Sequence, residues 1–340
     1  MPSPFKLRRR HALQLLAGAS GGALLHACGG AQQNPSADSP VSSGGQMQMT
    51  MGTVPWIGQV PLYIAQEKGF YAESGLDLTL RNFGSSGEYM SAFASGNVDG
   101  LSPASTEAVT LKAQGEDFKI VLIQDNSVGS DGILARNNIA SIAEFKGKKV
   151  AVDTAGVSYF FLLQVLQEAG LSKDDITPID MDPGAAAAAL ISNNVDIAVS
   201  YFPYLEQAAK EAENSRIIYD SAKMPTAIID LYLFHTDYIA ANPEAVQAFV
   251  NGTLKGLQFL QDNPAEGAEI SAAAIEIPPE EVTDSLTGVT LPDKATNLEM
   301  LANTESDLYV GKSLEELGSF LATEGQIDAK PADVSSMIDP

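Results

Sequence analysis

Residues 47–83 read MQMTMGTVPWIGQVPLYIAQEKGFYAESGLDLTLRNF, and their pattern decides the fold class. The short apolar runs Met47–Thr53 and Leu76–Phe83 predict two strands. Between them, Leu62–Ser74 is amphipathic with helical spacing and is ended by Gly75. A strand, a helix and a strand in this order indicate a βαβ unit with parallel strands.

The alternation of short apolar runs and amphipathic stretches continues along the chain to Phe234. Further strands are predicted at Gly100–Leu101, Lys119–Gln124, Lys149–Asp153, Thr177–Ile179, Ile197–Ser200 and Leu231–Phe234. Further helices are predicted at Gly87–Ser95, Thr106–Gln114, Ser158–Ala169 and Ala185–Ser192, and residues 243–340 are almost entirely helical in pattern. The chain is therefore predicted to be an α/β protein whose sheets are mainly parallel and covered by helices on both faces.

Two α/β units followed by a returning helical segment indicate two lobes joined by two crossovers, which we place near residues 127–135 and 228–233. One lobe is expected to contain residues 47–128 and 232–340, and the other residues 129–231. Ligands of open α/β sheets bind outside the carboxyl ends of the strands. A cleft between the lobes is therefore the expected place for a site.

The first 46 residues have the order of an export signal followed by a tether. Residues 1–27 combine a basic run that includes Arg9 and Arg10 with a modest apolar stretch, and the arginine pair is similar to a twin-arginine signal. Leu25-His26-Ala27-Cys28 is similar to a bacterial lipobox, in which the Cys becomes lipidated. Residues 28–46 are rich in Gly, Ser, Pro and Gln and predict a flexible tether. We expect a protein of the periplasm or cell surface, anchored to a membrane through Cys28; the alternative is an amphipathic helix with an incidental Cys.

Composition excludes several classes of protein. With 20 Lys and Arg against 43 Asp and Glu, the formal net charge is −23, and such an acidic field repels nucleic acid. A single Cys excludes both a disulfide framework and a thiolate metal site. His235 is the only His beyond the leader, so the chain offers no nucleophile and base pair. We therefore expect a monomeric binding protein with no cofactor, no metal and no catalytic residues.

Loops that follow the predicted strands hold the candidate ligand contacts. They carry small hydroxyl residues, carboxylates and aromatic residues just ahead of helices, where free backbone N–H groups can hold a polar ligand. The candidate ligand-binding residues are Trp56, Ser85, Ser105, Thr106, Glu107, Asp125, Ser127, Ser158, Tyr159, Tyr201 and Asp230.

Several of these candidates also have a purely structural interpretation. Trp56 could be a core residue, and Glu107 could cap its own helix. Tyr159 and Tyr201 could pack between lobes, and Asp230 could cap a hinge. Ser85 and Glu88 have the spacing of a capping box, and Gly129 and Asp131 are predicted to belong to the hinge rather than to the site.

A set of motifs, taken in order, resembles a known family of transport proteins. The motifs are Pro55-Trp56-Ile57-Gly58, Pro61–Tyr71, Ser95–Gly100, Phe145–Val150 and Tyr201–Tyr204. The set is similar to solute-binding proteins of ABC importers of the taurine, nitrate and sulfonate class, which share their fold with thiamine-pyrimidine (NMT1/THI5-like) proteins, and it covers roughly residues 48–250. The resemblance implies a type II-like periplasmic-binding-protein fold, hinge closure over a small-molecule ligand, and delivery to ABC permease subunits.

The candidate loops contain carboxylates and aromatic residues but no Lys, Arg or His, which favours a cationic or neutral nitrogen compound. Segments 125–132, 157–159 and 228–230 are also similar to importers encoded with guanidine- and urea-degrading enzymes. The favoured ligand is therefore a small guanidine-like cation. Taurine, an aliphatic sulfonate or nitrate is the alternative, because helix N-termini favour anions. A thiamine-pyrimidine protein and a surface scaffold are further alternatives, although the first would require a reactive His or Cys in the cleft.

Overall fold

The computed structural model describes residues 46–224 and 226–339. Within these residues the strands form two sheets, which we call sheet A and sheet B. Sheet A contains β1 (Met47–Thr53), β2 (Leu76–Asn82), β3 (Gly100–Leu101), β4 (Phe118–Ser127), β10 (Ile229–His235) and β11 (Val289–Thr290). Sheet B contains β5 (Asp131–Arg136), β6 (Lys149–Val152), β7 (Thr177–Asp180), β8 (Ile197–Tyr201) and β9 (Ser215–Asp220). The predicted signal, tether and lipidated Cys28 lie outside the described residues.

Helices connect the strands of each sheet and fill the C-terminal part of the chain. The helices associated with the first part of sheet A are α1 (Val60–Glu67), α2 (Ser86–Ala94) and α3 (Ser105–Ala113). Those of sheet B are α4 (Val157–Glu168), α5 (Pro183–Ile191) and α6 (Tyr204–Glu211). The remaining helices are α7 (Thr236–Ala241), α8 (Pro243–Asp262), α9 (Pro264–Ile275), α10 (Pro279–Ser285), α11 (Lys294–Leu301) and α12 (Val310–Thr323).

Both sheets are mixed, so the prediction of mainly parallel sheets is wrong. Sheet A has the order β11-β4-β10-β3-β1-β2, in which β1 pairs in parallel with β2 and β3 while β10 pairs antiparallel with β3 and β4. Sheet B has the order β7-β6-β8-β5-β9, in which β5 pairs antiparallel with β8 and β9. Among the described strands, every antiparallel pair contains β4, β5 or β10, through which the chain leaves sheet A, enters sheet B and returns to sheet A; this includes the pair of the short β11 with β4.

The two crossovers lie close to the predicted places but are differently bounded. Only residues 128–130 separate β4 from β5, whereas the predicted crossover extends to residue 135 and thus includes most of β5. The second crossover runs from the end of β9 to the start of β10. The predicted boundary between the two lobes, at residues 231 and 232, falls inside β10. The assignment of residues to two lobes stays a prediction.

The predicted helix Leu62–Ser74 is wrong in its second half. Helix α1 ends at Glu67, and Gly69 adopts a positive φ of 73°, which glycine accepts without the steric cost of a Cβ. A short 3₁₀ turn at Ala72–Ser74 then leads through Gly75, also at positive φ, into β2. Tyr71 in this connection stacks on Phe249 of α8 at 5.8 Å, so the irregular segment is held by the core.

Candidate functional site

A small cavity of about 30 Å³, partly open to solvent, lies where sheet A and sheet B face each other. Strand ends and helix N-termini of both sheets supply its walls, as expected for a ligand site of α/β sheets. From the sheet A side come Val54, Trp56, Ser86, Tyr89, Ser102, Ala104, Glu107, Ile228 and Asp230, and from the sheet B side Asp131, Val157 and Tyr201.

Trp56 forms one wall and is oriented by a chain of hydrogen bonds. Its indole Nε1 donates to Asp125 Oδ2 at 2.9 Å, and Gln124 Nε2 donates to the same oxygen at 3.1 Å. The ring meets Tyr201 edge to face at 5.8 Å, which brings the two sheets together across the cavity. A Cβ on Gly58 would lie 1.7 Å from Asp125 Oδ2, so the glycine of the Pro-Trp-Ile-Gly motif leaves room for this carboxylate.

Asp125 therefore lies behind Trp56 and is absent from the cavity lining, contrary to the prediction that it points into the cleft mouth. It pairs across sheet A with Asp230, whose carboxyl does line the cavity. Burial raises the pKa of Asp125 to about 6. Burial and then the Asp125 charge raise the pKa of Asp230 well above its usual range. Burial and the neighbouring Asp125 charge therefore favour the protonated form of Asp230.

Asp131, which sequence analysis assigns to the hinge, faces the cavity instead. It is the first residue of β5 and lies opposite Tyr201 in the ladder, so both side chains reach the same place. Asp131 is 3% exposed, and within the described chain its Oδ2 has no hydrogen-bond partner. Burial raises the pKa of this carboxyl to about 7. A buried carboxylate oxygen without a partner is costly, and a ligand that donates a hydrogen bond would remove that cost.

Glu107 differs from Asp131 because its oxygens are occupied. Oε1 accepts hydrogen bonds from Ser86 Oγ at 3.1 Å and from the backbone N–H of Val157 at 2.9 Å, and Oε2 accepts one from Thr106 at 2.8 Å. Burial raises the pKa of Glu107, and these hydrogen bonds oppose that rise. Capping is the structural alternative to ligand contact for Glu107, and the helix that Glu107 caps is α4 of sheet B rather than its own α3.

Four of the predicted contacts, Trp56, Glu107, Tyr201 and Asp230, line the cavity, and the other candidates lie elsewhere. Ser85 caps α2 by accepting from the N–H of Glu88, while Glu88 reaches back to the N–H of Gly84. Ser127 bonds the hydroxyl of Ser221, which also accepts from Gly129 and so ties the two crossovers together. The roles of Ser85, Ser105, Thr106, Asp125, Ser127, Ser158 and Tyr159 as ligand contacts stay predictions.

Sequence reasoning missed several lining residues. Ser86 and Tyr89 lie one helical turn apart at the start of α2, a spacing that could have placed them on one face. Asp131 is predicted only as a hinge residue near the cleft, because the sequence pattern does not predict a strand at Asp131–Arg136. The remaining lining residues that were missed are Val54, Ser102, Ala104, Val157 and Ile228.

No Lys, Arg or His lines the cavity in the described part of the chain. The buried Arg136 is at the far end of β5, about 16 Å from Asp131 by the rise of a strand, and donates to the carbonyls of Leu190 and Glu213. His235 stacks on Phe93 at 3.6 Å and contacts the Phe93 carbonyl. Residues 46–224 and 226–339 contain no cluster of His, Cys, Asp or Glu suited to a metal ion, and none of their helices is long and apolar enough to cross a membrane.

Two mixed sheets, two chain crossings between them and a cavity at the strand ends define the fold of periplasmic solute-binding proteins. The alkanesulfonate-binding protein SsuA from Xanthomonas axonopodis pv. citri, solved with MOPS, has this fold with a TM-score of 0.71 and 19% identity, over 87% of this chain and 99% of that one. The predicted α/β class and two-lobe binding-protein fold are thereby confirmed.

The chain belongs to the NMT1/THI5-like family, whose family model matches residues 56–267. A Brucella abortus chain described in general terms as a binding protein is 30% identical over 222 residues, which are 63% of this chain and 67% of that one. The taurine-binding periplasmic protein of Escherichia coli K12 is 23% identical over 82% of this chain and 88% of its own length. The resemblance noted from the ordered motifs is confirmed by these matches.

Proposed function

We propose that this protein is the periplasmic solute-binding component of an ABC importer and that it captures a small guanidine-like organic cation for delivery to the permease. The general role is supported by family membership and by the names of relatives, which include a taurine-binding and an aliphatic-sulfonate-binding protein. The finer assignment of the ligand depends on the cavity of this chain.

The observation that carries the assignment is the charge of the cavity lining. Asp131, Asp230 and Glu107 contribute carboxyls, and Trp56, Tyr89 and Tyr201 contribute aromatic faces and edges. An anionic ligand enclosed against an ionised Asp131 carboxylate, with no basic side chain opposite, would cost several kcal/mol. A cation gains both from a charge-assisted hydrogen bond to Asp131 and from the aromatic rings.

Cavity size and hydrogen bonding narrow the class of cation. A cavity of about 30 Å³ admits only a small solute. The unpartnered Asp131 oxygen requires a hydrogen-bond donor, and the Asp230 carboxyl lies beside it in the cavity lining. A guanidinium or amidinium group offers N–H donors on several edges, whereas a quaternary ammonium offers none.

Binding without turnover is the proposed activity. Among the described residues the single His, His235, is stacked on Phe93 away from the cavity lining, so no imidazole is available there as a base.

A panel of ligands tests the assignment. Protein stripped of bound solute by unfolding and refolding is titrated by calorimetry with guanidinium, methylguanidinium, tetramethylammonium, taurine and nitrate at concentrations far below denaturing ones. We expect binding of guanidinium or methylguanidinium, no binding of tetramethylammonium, and no binding of either anion. Tight binding of taurine or nitrate without measurable guanidinium binding would show that the cation assignment is wrong and that the family-level alternative is right.

We also propose that the mature protein is held at the membrane by a lipid on Cys28. The basic run, the apolar run and the Cys occur in the order of a lipoprotein signal, and residues 28–46 are long enough to act as a tether. Cys28→Ser is expected to move the protein from the membrane fraction to the soluble fraction of cells. Unchanged membrane fractionation of Cys28→Ser would contradict the anchor.

A further inference from the structure

Two helix N-termini at the cavity are capped across the boundary between the sheets. Ser86, the first residue of α2 on the sheet A side, donates its backbone N–H to Asp153 Oδ2 at 3.2 Å, and Asp153 follows β6 of sheet B. Val157, the first residue of α4 on the sheet B side, donates its N–H to Glu107 Oε1 at 2.9 Å, and Glu107 is on α3 of the sheet A side. Each side thus supplies the carboxylate for a helix of the other.

This arrangement differs from ordinary capping. An N-cap side chain normally accepts from its own helix, as Asp182 does from Ala185 at the start of α5. The N-cap residue of α4 is Gly156, which has no side chain, and Glu107 takes its place from a position 50 residues away in sequence. Both carboxylates meet the positive end of a helix, where negative charge is favoured. These hydrogen bonds can exist only while the two sides of the cavity are in contact.

We propose that Glu107 and Asp153 form a reciprocal latch that holds the two sides of the cavity closed, and that they act as positioning residues rather than as the ligand's charge partners. Ser86 joins the two halves of the latch, because its N–H binds Asp153 while its hydroxyl donates to Glu107. The three residues of this latch, Ser86, Glu107 and Asp153, are all buried. Opening the cavity would break the two hydrogen bonds that cross between the sheets and expose both carboxylates to water.

Glycines allow the two helix ends to approach this closely. A Cβ on Gly156 would lie 2.1 Å from Ser86 Oγ and 2.6 Å from Ser86 Cβ, so a side chain at that position is incompatible with the latched arrangement. Gly156 has φ −126°, an extended conformation that alanine also adopts, so Gly156→Ala places strain only on the contact across the cavity. A Cβ on Gly87 would lie 3.7 Å from Ala155 Cβ, which is ordinary contact.

The short distance between a Cβ at position 87 and the Cβ of Ala155 permits a test that needs no ligand. In a Cys28→Ser background, Gly87→Cys and Ala155→Cys place two Cβ atoms within disulfide range across the boundary between the sheets. The rate of disulfide formation under a mild oxidant then reports how much of the time the cavity is closed. We expect the crosslink to form readily in the otherwise unchanged chain and to form about tenfold more slowly when Glu107→Gln and Asp153→Asn are added, as expected for loss of about 1.4 kcal/mol of closed-state preference.

Asp182→Asn is the matched control, because it removes a helix cap that lies wholly on the sheet B side. It is expected to lower thermal stability while leaving the crosslinking rate unchanged. Gly156→Ala is expected to slow crosslinking at least as much as the double carboxylate variant while retaining a normal circular dichroism spectrum. Equal crosslinking rates in all variants, or no crosslink in the unchanged background, would overturn the latch. No ligand is added in the crosslinking test. Its result therefore does not depend on whether the calorimetric panel supports the guanidinium assignment.

Discussion

Replacing Asp131 by Asn is expected to weaken guanidinium binding by one to two powers of ten. The Asp131 carboxylate is buried, its Oδ2 has no partner within the described chain, and it faces the cavity. A charge-assisted hydrogen bond to such a group is worth about 1.5–3 kcal/mol, and each 1.4 kcal/mol changes affinity tenfold. Calorimetric titration of guanidinium into stripped protein measures the change.

Two further variants serve as controls for this prediction. Asp182→Asn removes an equally negative but exposed carboxylate on the same side of the molecule and is expected to leave affinity unchanged. Asp125→Asn is expected to have a smaller effect than Asp131→Asn, since Asp125 acts on the cavity only through Trp56 and Asp230. If Asp125→Asn proves the more damaging of the two, or if Asp131→Asn binds guanidinium like the unchanged protein, Asp131 is not the charge partner.

The same variant has a second readout in the pH dependence of stability. Burial raises the pKa of Asp131 to about 7 in the folded protein, so the folded state binds this proton more tightly than the unfolded chain does. The stabilisation is therefore fully present at low pH and is lost as the pH rises through about 7. Asp125, with its pKa near 6, and Glu206, with its pKa near 7, contribute with the same sign. Chemical denaturation of ligand-free protein between about pH 5 and about pH 8 should show a smaller loss of stability in Asp131→Asn than in the unchanged chain.

Trp56→Ala is expected to have the largest combined effect, with a loss of roughly 3–5 kcal/mol in the free energy of unfolding. The indole is 6% exposed, packs edge to face on Tyr201 and donates to Asp125. Its removal opens a void between the sheets and leaves the Asp125 carboxylate with one hydrogen-bond donor fewer. Denaturant titration measures the stability, and calorimetry measures the accompanying loss of guanidinium binding.

Trp56→Phe separates the two contributions of the side chain. Phenylalanine retains an aromatic ring against Tyr201 but has no N–H for Asp125. We expect it to recover more than half of the stability lost in Trp56→Ala and to keep guanidinium affinity within about tenfold of the unchanged protein. Identical behaviour of the Phe and Ala variants would indicate that the hydrogen bond to Asp125, rather than the ring, determines the contribution of Trp56.

Local patterns in the chain were sufficient for most elements of the fold. The strands β1 and β3 and the helices α2, α3 and α4 lie within one or two residues of their predicted bounds, because hydrophobic periodicity and turn residues act over short stretches. The local patterns do not predict β5, β9 or β11, and the presence of β11 at Val289–Thr290 corrects the almost entirely helical prediction for residues 243–340. Strands β5 and β9 lie next to crossovers, and the antiparallel pairing of all three strands is decided by which strands they meet in the fold rather than by their own composition.

The site shows the same division between local and non-local information. The residues of the predicted loops indicate a site of acids, hydroxyls and aromatic rings without a basic group, and the cavity lining has that character although Tyr89 and Asp131 come from outside those loops. Ordered motifs around Trp56 and Tyr201 were enough for the family, and those two residues do meet at the cavity. Which acid faces a ligand was decided only by tertiary structure. Asp125 is turned toward the Trp56 indole, Asp131 is brought in by a strand of the other sheet, and Glu107 is used by a helix 50 residues away, since hydrogen-bond partners distant in sequence become neighbours only after the two sheets have packed.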